Sequence, residues 1–274
     1  MPEGHKTHRI AIDQTEWIGG QTLRITSPQG RFRGDARKVT GRTLDRVEAI
    51  GKHLFYHFRP RPSDSDATGD RLVHVHLGRY GAYRIEPLPP PKPVGQIRMR
   101  IVASAMTIDL RGPTRCRVVG AVERQSIADR LGPDPLAGGR KRDVYSAIEA
   151  SPKPIAALLL DQSVVAGVGN IFRAEMLFEA GIDPRVSGQQ LGRERFDRLW
   201  KILVKQMRTG LKYGKIVTVT RREAGRPLEE VNGRDRFRIY GQTHCPRCNA
   251  VIERADIASR TMYWCPRCQR QDNA

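Results

Sequence analysis

Two groups of residues in this sequence have the types and spacing that do chemistry. The first is its start, Met1-Pro2-Glu3-Gly4. An initiator methionine is trimmed when a small residue follows, and its loss here exposes the secondary amine of proline with a carboxylic acid directly after it. A terminal amine has a pKa of about 8 against about 10.4 for lysine, so much more of it is an unprotonated nucleophile at neutral pH. Amines that attack carbonyl-like carbons form Schiff bases. The plainer reading is that Pro2 only opens a helix, where proline is tolerated at the first position. The second group is Cys245-Pro-Arg-Cys248 and Cys265-Pro-Arg-Cys268. The C-x2-C…C-x2-C pattern suits a four-thiolate zinc site, each tight turn giving two sulfurs to one tetrahedral ion. Four thiolates leave no open position for water, so one structural zinc is expected.

Smaller signals lie between them. Val164-Val-Ala-Gly167-Val-Gly169-Asn170-Ile171 joins two helical patterns. Its glycines permit positive φ and close backbone approach. Asn170 suits the N-cap of a helix over 171–180, and a helix N-terminus also binds anions. Gly51-Lys52-His53 opens a strand, where the lysine reads as a solvated turn residue. His74 and His76 alternate on one strand and are expected on its polar or nucleic-acid-facing side. Cys116 reads as a buried free thiol. Between the cysteine pairs, Asp256 to Trp264 reads as a β-hairpin carrying Arg260.

These residues need a scaffold. The 274 residues suffice for two cored domains. Alternating short segments punctuated by Pro and Gly run over 22–25, 43–50, 53–58, 72–77, 81–85, 97–102, 106–110 and 117–122, predicting an antiparallel sandwich rather than βαβ units. A helix over 2–17 precedes them. Loops are expected over Pro60–Asp70 and Pro87–Pro93. Helical patterns take over from Asp143, including 171–180 and 193–212, and 221–236 reads as a loop. The expected class is α+β: an N-terminal antiparallel β-sandwich flanked by helices (1–123), a helical domain (124–232) and a zinc-finger hairpin (233–270). A net charge of +19, with 38 arginines and 10 lysines, implies a polyanionic partner, most simply nucleic acid. No apolar run approaches the roughly 20 residues of a membrane span, and residues 1–9 are polar and basic, so a soluble cytoplasmic protein is expected, with no membrane partner. The paired cysteines argue against disulfides there.

Pro2-Glu3, Gly51-Lys52-His53-Leu54, Leu160-Asp161-Gln162…Gly167-Val-Gly169-Asn170-Ile171 and the four-cysteine finger with Arg260 occur in this order in the formamidopyrimidine-DNA glycosylase / endonuclease VIII family, which the chain resembles from end to end. Met-Pro-Glu-Gly, its Gly-His continuation and Leu110-Arg-Gly-Pro-Thr114 resemble the endonuclease VIII branch and its actinobacterial members. The 160–171 segment looks like the family's helix–two-turns–helix motif.

The resemblance implies a monomeric, bifunctional DNA glycosylase/AP lyase of base-excision repair that removes oxidised bases, chiefly pyrimidines, from duplex or single-stranded damaged DNA. Pro2 would attack C1′ of an extruded nucleotide, Glu3 would protonate the sugar ring oxygen, and β,δ-elimination would cut the strand. Lys52 would assist proton transfer and hold phosphate, and Asn170 and Arg260 would grip the flanking phosphates. There are departures. His5 and Lys6 replace the family's usual Pro and Glu. The Gln-Leu-Tyr wedge of endonuclease VIII corresponds to Gly78-Arg79-Tyr80, where Tyr80 can still stack between bases and Arg79 could reach the orphaned partner. Two alternatives stay open: a purine-preferring formamidopyrimidine/8-oxoguanine glycosylase, and a non-catalytic zinc-finger protein that binds lesion DNA.

Overall fold

The structure, a computed structural model, describes residues 2–60 and 71–270. Met1 and its removal, and the expected loop beyond Pro60 as far as Asp70, lie outside the described residues. The chain forms two compact units, one of residues 2 and 7–129, the other of 3–6 and 130–270.

The first unit takes most of α1 (Gly4–Ile18), β1 (Thr22–Thr26), α2 (Arg33–Val39), β2 (Arg42–Ile50), β3 (His53–Phe58), β4 (Arg71–His76), β5 (Ala82–Glu86), β6 (Ile97–Val102), β7 (Thr107–Arg111), β8 (Arg115–Val119) and α3 (Ala121–Asp129). Its strands follow the order β5-β7-β6-β1-β2-β3-β4-β8, antiparallel throughout. The β1–β2 junction is short, pairing Thr22 with Thr43 and Leu23 with Arg42. It therefore divides the order into two four-stranded halves. Both halves feed one core: Leu54, Tyr56, Val73 and Val75 cluster with Met99, Ile101, Ile108 and Leu110. A shared core between two antiparallel halves is the sandwich that the alternating segments predict. Helix α1 joins it through Gln14, whose Oε1 accepts from the Tyr56 hydroxyl at 2.6 Å, while that hydroxyl lies 2.6 Å from the hydroxyl of Tyr83. The two-residue β2–β3 loop places Gly51 at φ 56, the first central position of a tight hairpin turn that favours glycine.

The second unit holds α4 (Lys141–Glu149), α5 (Ile155–Leu158), α6 (Asn170–Ala180), α7 (Gly188–Leu191), α8 (Arg193–Tyr213), α9 (Arg221–Ala224), a 3-10 turn (Gly233–Arg236), and the hairpin β9 (Glu253–Ile257) and β10 (Arg260–Trp264). The segment 221–236, expected to be a loop, contains two short helical turns; Thr220 and Glu223 close a capping box around α9 that outweighs the local polarity. Helix α6 is buried on nearly every side, with Phe172, Arg173, Ala174, Glu175 and Phe178 all at most 1% exposed. The finger shares this core: Ile252, Met262, Trp264 and Cys265 cluster with Phe172, Phe178 and Leu203.

One electrostatic tie in the first unit yields a pH dependence. Glu48 on β2 accepts from His57 on β3 at 2.8 Å and from Arg124 on α3. Burial alone would raise its pKa, but the hydrogen bonds from His57 and Arg124, with the Arg124 charge, lower it to about 2. A depressed carboxylate contributes stability above its unfolded pKa and loses it as pH falls through the folded value. Replacing Glu48 with Gln should flatten the fall in stability between about pH 4.5 and 2, read by urea unfolding at each pH; an unchanged slope would show the tie to be inert.

Candidate active site

The residues following Pro2 are fixed by the start of α6. Glu3 is fully buried. Its Oε2 accepts from the Gly169 amide at 2.9 Å and the Phe172 amide at 3.3 Å, and its Oε1 from the Ile171 amide at 2.8 Å. Gly4 donates to the Gly167 carbonyl at 2.8 Å. The first amides of a helix have no partner within it, and a carboxylate there satisfies them and complements the helix dipole. This changes two expectations. The helix begins at Asn170 rather than Ile171, and Asn170 does not cap it: Gly169 is the N-cap, without a side-chain cap bond. The anion on this N-terminus is Glu3 of the chain itself. The glycines follow: a Cβ on Gly169 would lie 2.4 Å from the Glu3 carboxyl carbon, and Gly167 sits at φ 88. Gln162 braces the turn, donating to the carbonyls of Leu160 (2.8 Å) and Val168 (2.9 Å) and accepting from the Gly167 amide at 3.1 Å.

Asn170 is instead bound to the finger. Its Nδ2 donates to the Thr261 carbonyl at 2.9 Å and its Oδ1 accepts from Arg173 at 2.6 Å, which commits the oxygen and leaves one amide N–H for a further partner. Arg173, which the sequence reading passed over, is fully buried. It donates to the carbonyls of Ala156 (2.9 Å), Ile257 (3.1 Å) and Arg260 (3.0 Å) as well as to Asn170. Burial pulls its guanidinium down to about 10, opposed by Glu3 and reinforced by Arg260, so it stays charged at neutral pH. Ile257 and Arg260 are paired residues flanking the hairpin turn, whose central Ala258 and Ser259 sit at φ 54 and 57. Non-glycine residues cost about 1–2 kcal/mol each in that region, and the Arg173 fork holds both ends of this strained turn. Arg260 itself is exposed at the tip, bonded to the Ser259 carbonyl.

In the first unit, Lys52 is half-buried in the Gly51-Lys52 turn. Next to it, His53 Nδ1 lies 2.9 Å from His74 Nε2 and its ring stands 4.9 Å from that of His76. His74 is 1% exposed rather than on an open polar face, and it stacks on Phe55 at 4.8 Å. Burial, then His53 and Arg115, lower its pKa to about 3, so it is neutral. Because His74 Nδ1 has no partner, the arrangement without a buried unpaired N–H has His74 Nε2–H donating to His53. Burial, then the Lys52 charge, also lowers His76. At the tip between β4 and β5, Tyr80 is 76% exposed, with the Arg79 guanidinium 5.4 Å from its ring centroid.

The four paired cysteines come together. Their sulfurs all lie within 4.8 Å of one another, with Cys245–Cys268 at 3.8 Å and Cys248–Cys265 at 3.5 Å. A tetrahedral ion with Zn–S of about 2.3 Å needs S···S edges near 3.8 Å, so the donor set fits zinc. Each knuckle sends a backbone amide to a sulfur, from Arg247 to Cys245 and from Cys268 to Cys265, both at 3.4 Å.

Comparison with known proteins bears on this arrangement. Residues 1–116 match the formamidopyrimidine-DNA glycosylase N-terminal domain, and residues 131–222 the formamidopyrimidine-DNA glycosylase H2TH domain. The chain is 41% identical over 277 residues to Endonuclease 8 1 of Mycobacterium tuberculosis, covering 98% of this chain and 100% of that protein. The chain belongs to the formamidopyrimidine-DNA glycosylase / endonuclease VIII family. It falls on the endonuclease 8-like side of a family of DNA glycosylases with AP lyase activity. Formamidopyrimidine-DNA glycosylase of Thermus thermophilus is 31% identical over 280 residues, with 98% of each chain covered. The fold matches that of Lactococcus lactis Fpg in complex with abasic-site DNA (TM-score 0.79, 22% identity, 98% of this chain and 100% of that one). It matches equally the complex of that protein with DNA containing an N7-benzyl-Fapy-dG (TM-score 0.80, 22% identity, the same coverage).

The Arg173 network is open to a direct check. Arg173→Ala strands acceptors on α5, α6 and both ends of the hairpin turn, and a lost partner at a buried polar group costs about 1–3 kcal/mol. A destabilisation of at least ~3 kcal/mol is expected, with Arg173→Lys recovering less than half because an ammonium lacks the planar fork. Equilibrium urea unfolding measures it, and a loss below ~1 kcal/mol would contradict the bracing role.

Proposed function

We propose that this chain is a bifunctional glycosylase/AP lyase of base-excision repair that removes oxidised bases, chiefly pyrimidines, through an N-terminal proline Schiff base. The observation that carries the reading is the seat of Glu3: the carboxylate next to Pro2 is buried on the first amides of α6. A carboxylate locked this way keeps one orientation, and the residue before it inherits a fixed path. In this reading the neutral Pro2 nitrogen attacks C1′ of the extruded nucleotide, and the base departs with the glycosidic electron pair and takes a proton from water. The Glu3 carboxylate takes the proton that the attacking amine sheds and passes it to the ring oxygen, the sugar opens, and C1′ becomes an iminium to Pro2. Loss of a C2′ proton expels the 3′ phosphate, a second elimination expels the 5′ phosphate, and water releases the amine. Lys52 assists proton transfer and holds phosphate. Asn170, through its remaining amide N–H, and Arg260 grip phosphates beside the lesion, which position the strand without reading its sequence.

The complexes of Lactococcus lactis Fpg with damaged DNA support a damaged-DNA substrate here. We take the active species to be a monomer in which residues 1–123 carry the amine and Lys52, 124–232 carry the Glu3 seat and Asn170, and 233–270 carry Arg260. Cys245, Cys248, Cys265 and Cys268 would hold one zinc ion, which when bound fixes the base of the hairpin and takes no part in the chemistry. Native mass spectrometry should read one zinc per chain; a metal-free native chain would remove this assignment.

Two outcomes test the active site. Borohydride should trap a covalent adduct with abasic or thymine-glycol DNA, and one extra residue ahead of Pro2 should abolish it while leaving DNA affinity within a few-fold; undiminished trapping would overturn the proline mechanism. At the loop tip, Tyr80 would enter the stack and Arg79 would face the orphaned base. Arg79→Ala should slow duplex cleavage and shift the opposite-base preference, and if both stayed as in the parent enzyme, Arg79 would have no part in the wedge.

A further inference from the structure

Helix α8 carries a basic ridge that none of this chemistry uses. Its buried side holds Leu199, Leu203, Met207 and Gly210. Its exposed side holds Arg198, Lys201, Lys205, Arg208 and Lys212, spaced by three and four residues so that they stack along one face. No Asp or Glu occurs from 198 to 213. Of the two carboxylates in the first turns, Asp197 is already engaged by Arg193 and Lys141, both at 3.1 Å, and Glu194, four residues before Arg198, makes no ion pair with it. Among the described residues, Arg198, Lys201, Lys205 and Arg208 meet no carboxylate and make no side-chain hydrogen bond. Successive like charges at this spacing destabilise a helix, whereas an ordinary solvated face intersperses acids that relieve them. Their mutual repulsion on the exposed face is screened by salt and is relieved more strongly by a polyanion laid along the ridge.

Its geometry fits a phosphate backbone. From residue 198 to 212 the axis rises about 21 Å, the length of roughly six phosphates of one strand at about 3.4 Å each. It is also separate from the site at α6. A Cβ on Gly210 would lie 3.0 Å from the ring of His5, and a Cβ on Gly4 would lie as close to Met207 Cε, so the buried side of α8 faces residues 4 and 5. The ridge points the opposite way. We propose that the exposed face of α8 is a second nucleic-acid site, which binds the backbone of a different duplex segment without sequence preference while the first segment occupies the lesion site. A chain with both sites can hand itself from one segment to another without dissociating.

The test uses the full-length protein and two undamaged duplexes labelled with a donor and an acceptor dye. The wild type should bring them together at low salt, with a log–log salt slope for the second duplex near −3.6, about −0.9 for each of four phosphate contacts. The variant R198Q/K201Q/K205Q/R208Q, made only at exposed positions with a good helix former, should lose the energy transfer at least tenfold. It should keep single-turnover cleavage of a lesion duplex within twofold. Bridging by the variant at the wild-type level, or no bridging by the wild type, would overturn the proposal. So would capture of phosphatidylglycerol vesicles by the ridge with no second duplex bound. Loss of single-turnover cleavage would place the ridge in the first site and equally overturn it. Bridging is read on undamaged DNA without trapping, so it stands or falls apart from the proline mechanism.

Discussion

The seat of the Glu3 carboxylate on the first amides of α6 is the constraint around which the second unit is arranged. A buried carboxylate needs several donors to offset its desolvation, and a helix N-terminus offers them ready aligned. Because the carboxylate occupies the space above residue 169, that residue has no room for a side chain, and because the chain reverses just before it, residue 167 takes positive φ. The glycines around 167–169 thus follow from the acid at position 3. They are the receiving half of an interaction between segments 166 residues apart in sequence.

The same helix uses charge twice more. Glu175 is fully buried and accepts from the amides of Arg238 (2.9 Å), Ile239 (2.9 Å) and Tyr240 (2.8 Å) and from the Thr218 hydroxyl (2.5 Å). Burial raises its pKa against those four hydrogen bonds. It organises the backbone entering the finger as Glu3 organises the helix start. Arg173 then holds the far end of the hairpin. Three charged side chains of a nearly all-buried arrangement thereby fix the start of the chain, the root of the finger and its tip relative to one helix. Arg247 adds a fourth tie, with its guanidinium 4.4 Å from the Phe178 ring centroid and donating to the Phe178 carbonyl at 3.1 Å. With the finger sharing the helical core, a zinc ion would stabilise a hairpin that is already docked.

Much of this is legible in the sequence where the signal is local. Strand alternation locates eight strands to within a few residues, and the cysteine spacing brings four sulfurs to one point. The long-range part is not local and is not legible. Nothing near Glu3 indicates amides at 169–172. Helix α6 lacks an amphipathic stripe because it is buried all round, so nothing in the sequence sets Arg173 apart from the other arginines. His74 obeys the alternation that suggests a polar face, yet α3 and a small cluster of Phe55, Leu72, Val119 and Ile127 cover that side of the sheet. The expected Asn170 cap fails for the same reason, since a stronger acceptor arrives from elsewhere in the chain and Asn170 turns to the finger. The roles proposed for Glu3 and Asn170 rest on the family resemblance, while the physical reasons for the placement of all these residues come from contacts that no window of sequence contains.

The most direct test of the mechanism is to locate the covalent bond. The enzyme would be trapped on abasic DNA with borohydride, digested with nuclease and protease, and the modified peptide sequenced by mass spectrometry. A reduced sugar remnant on the nitrogen of a peptide that begins at Pro2 is the expected result. A remnant on Lys52 or another lysine, or on a peptide that still begins with Met1, would contradict the central claim.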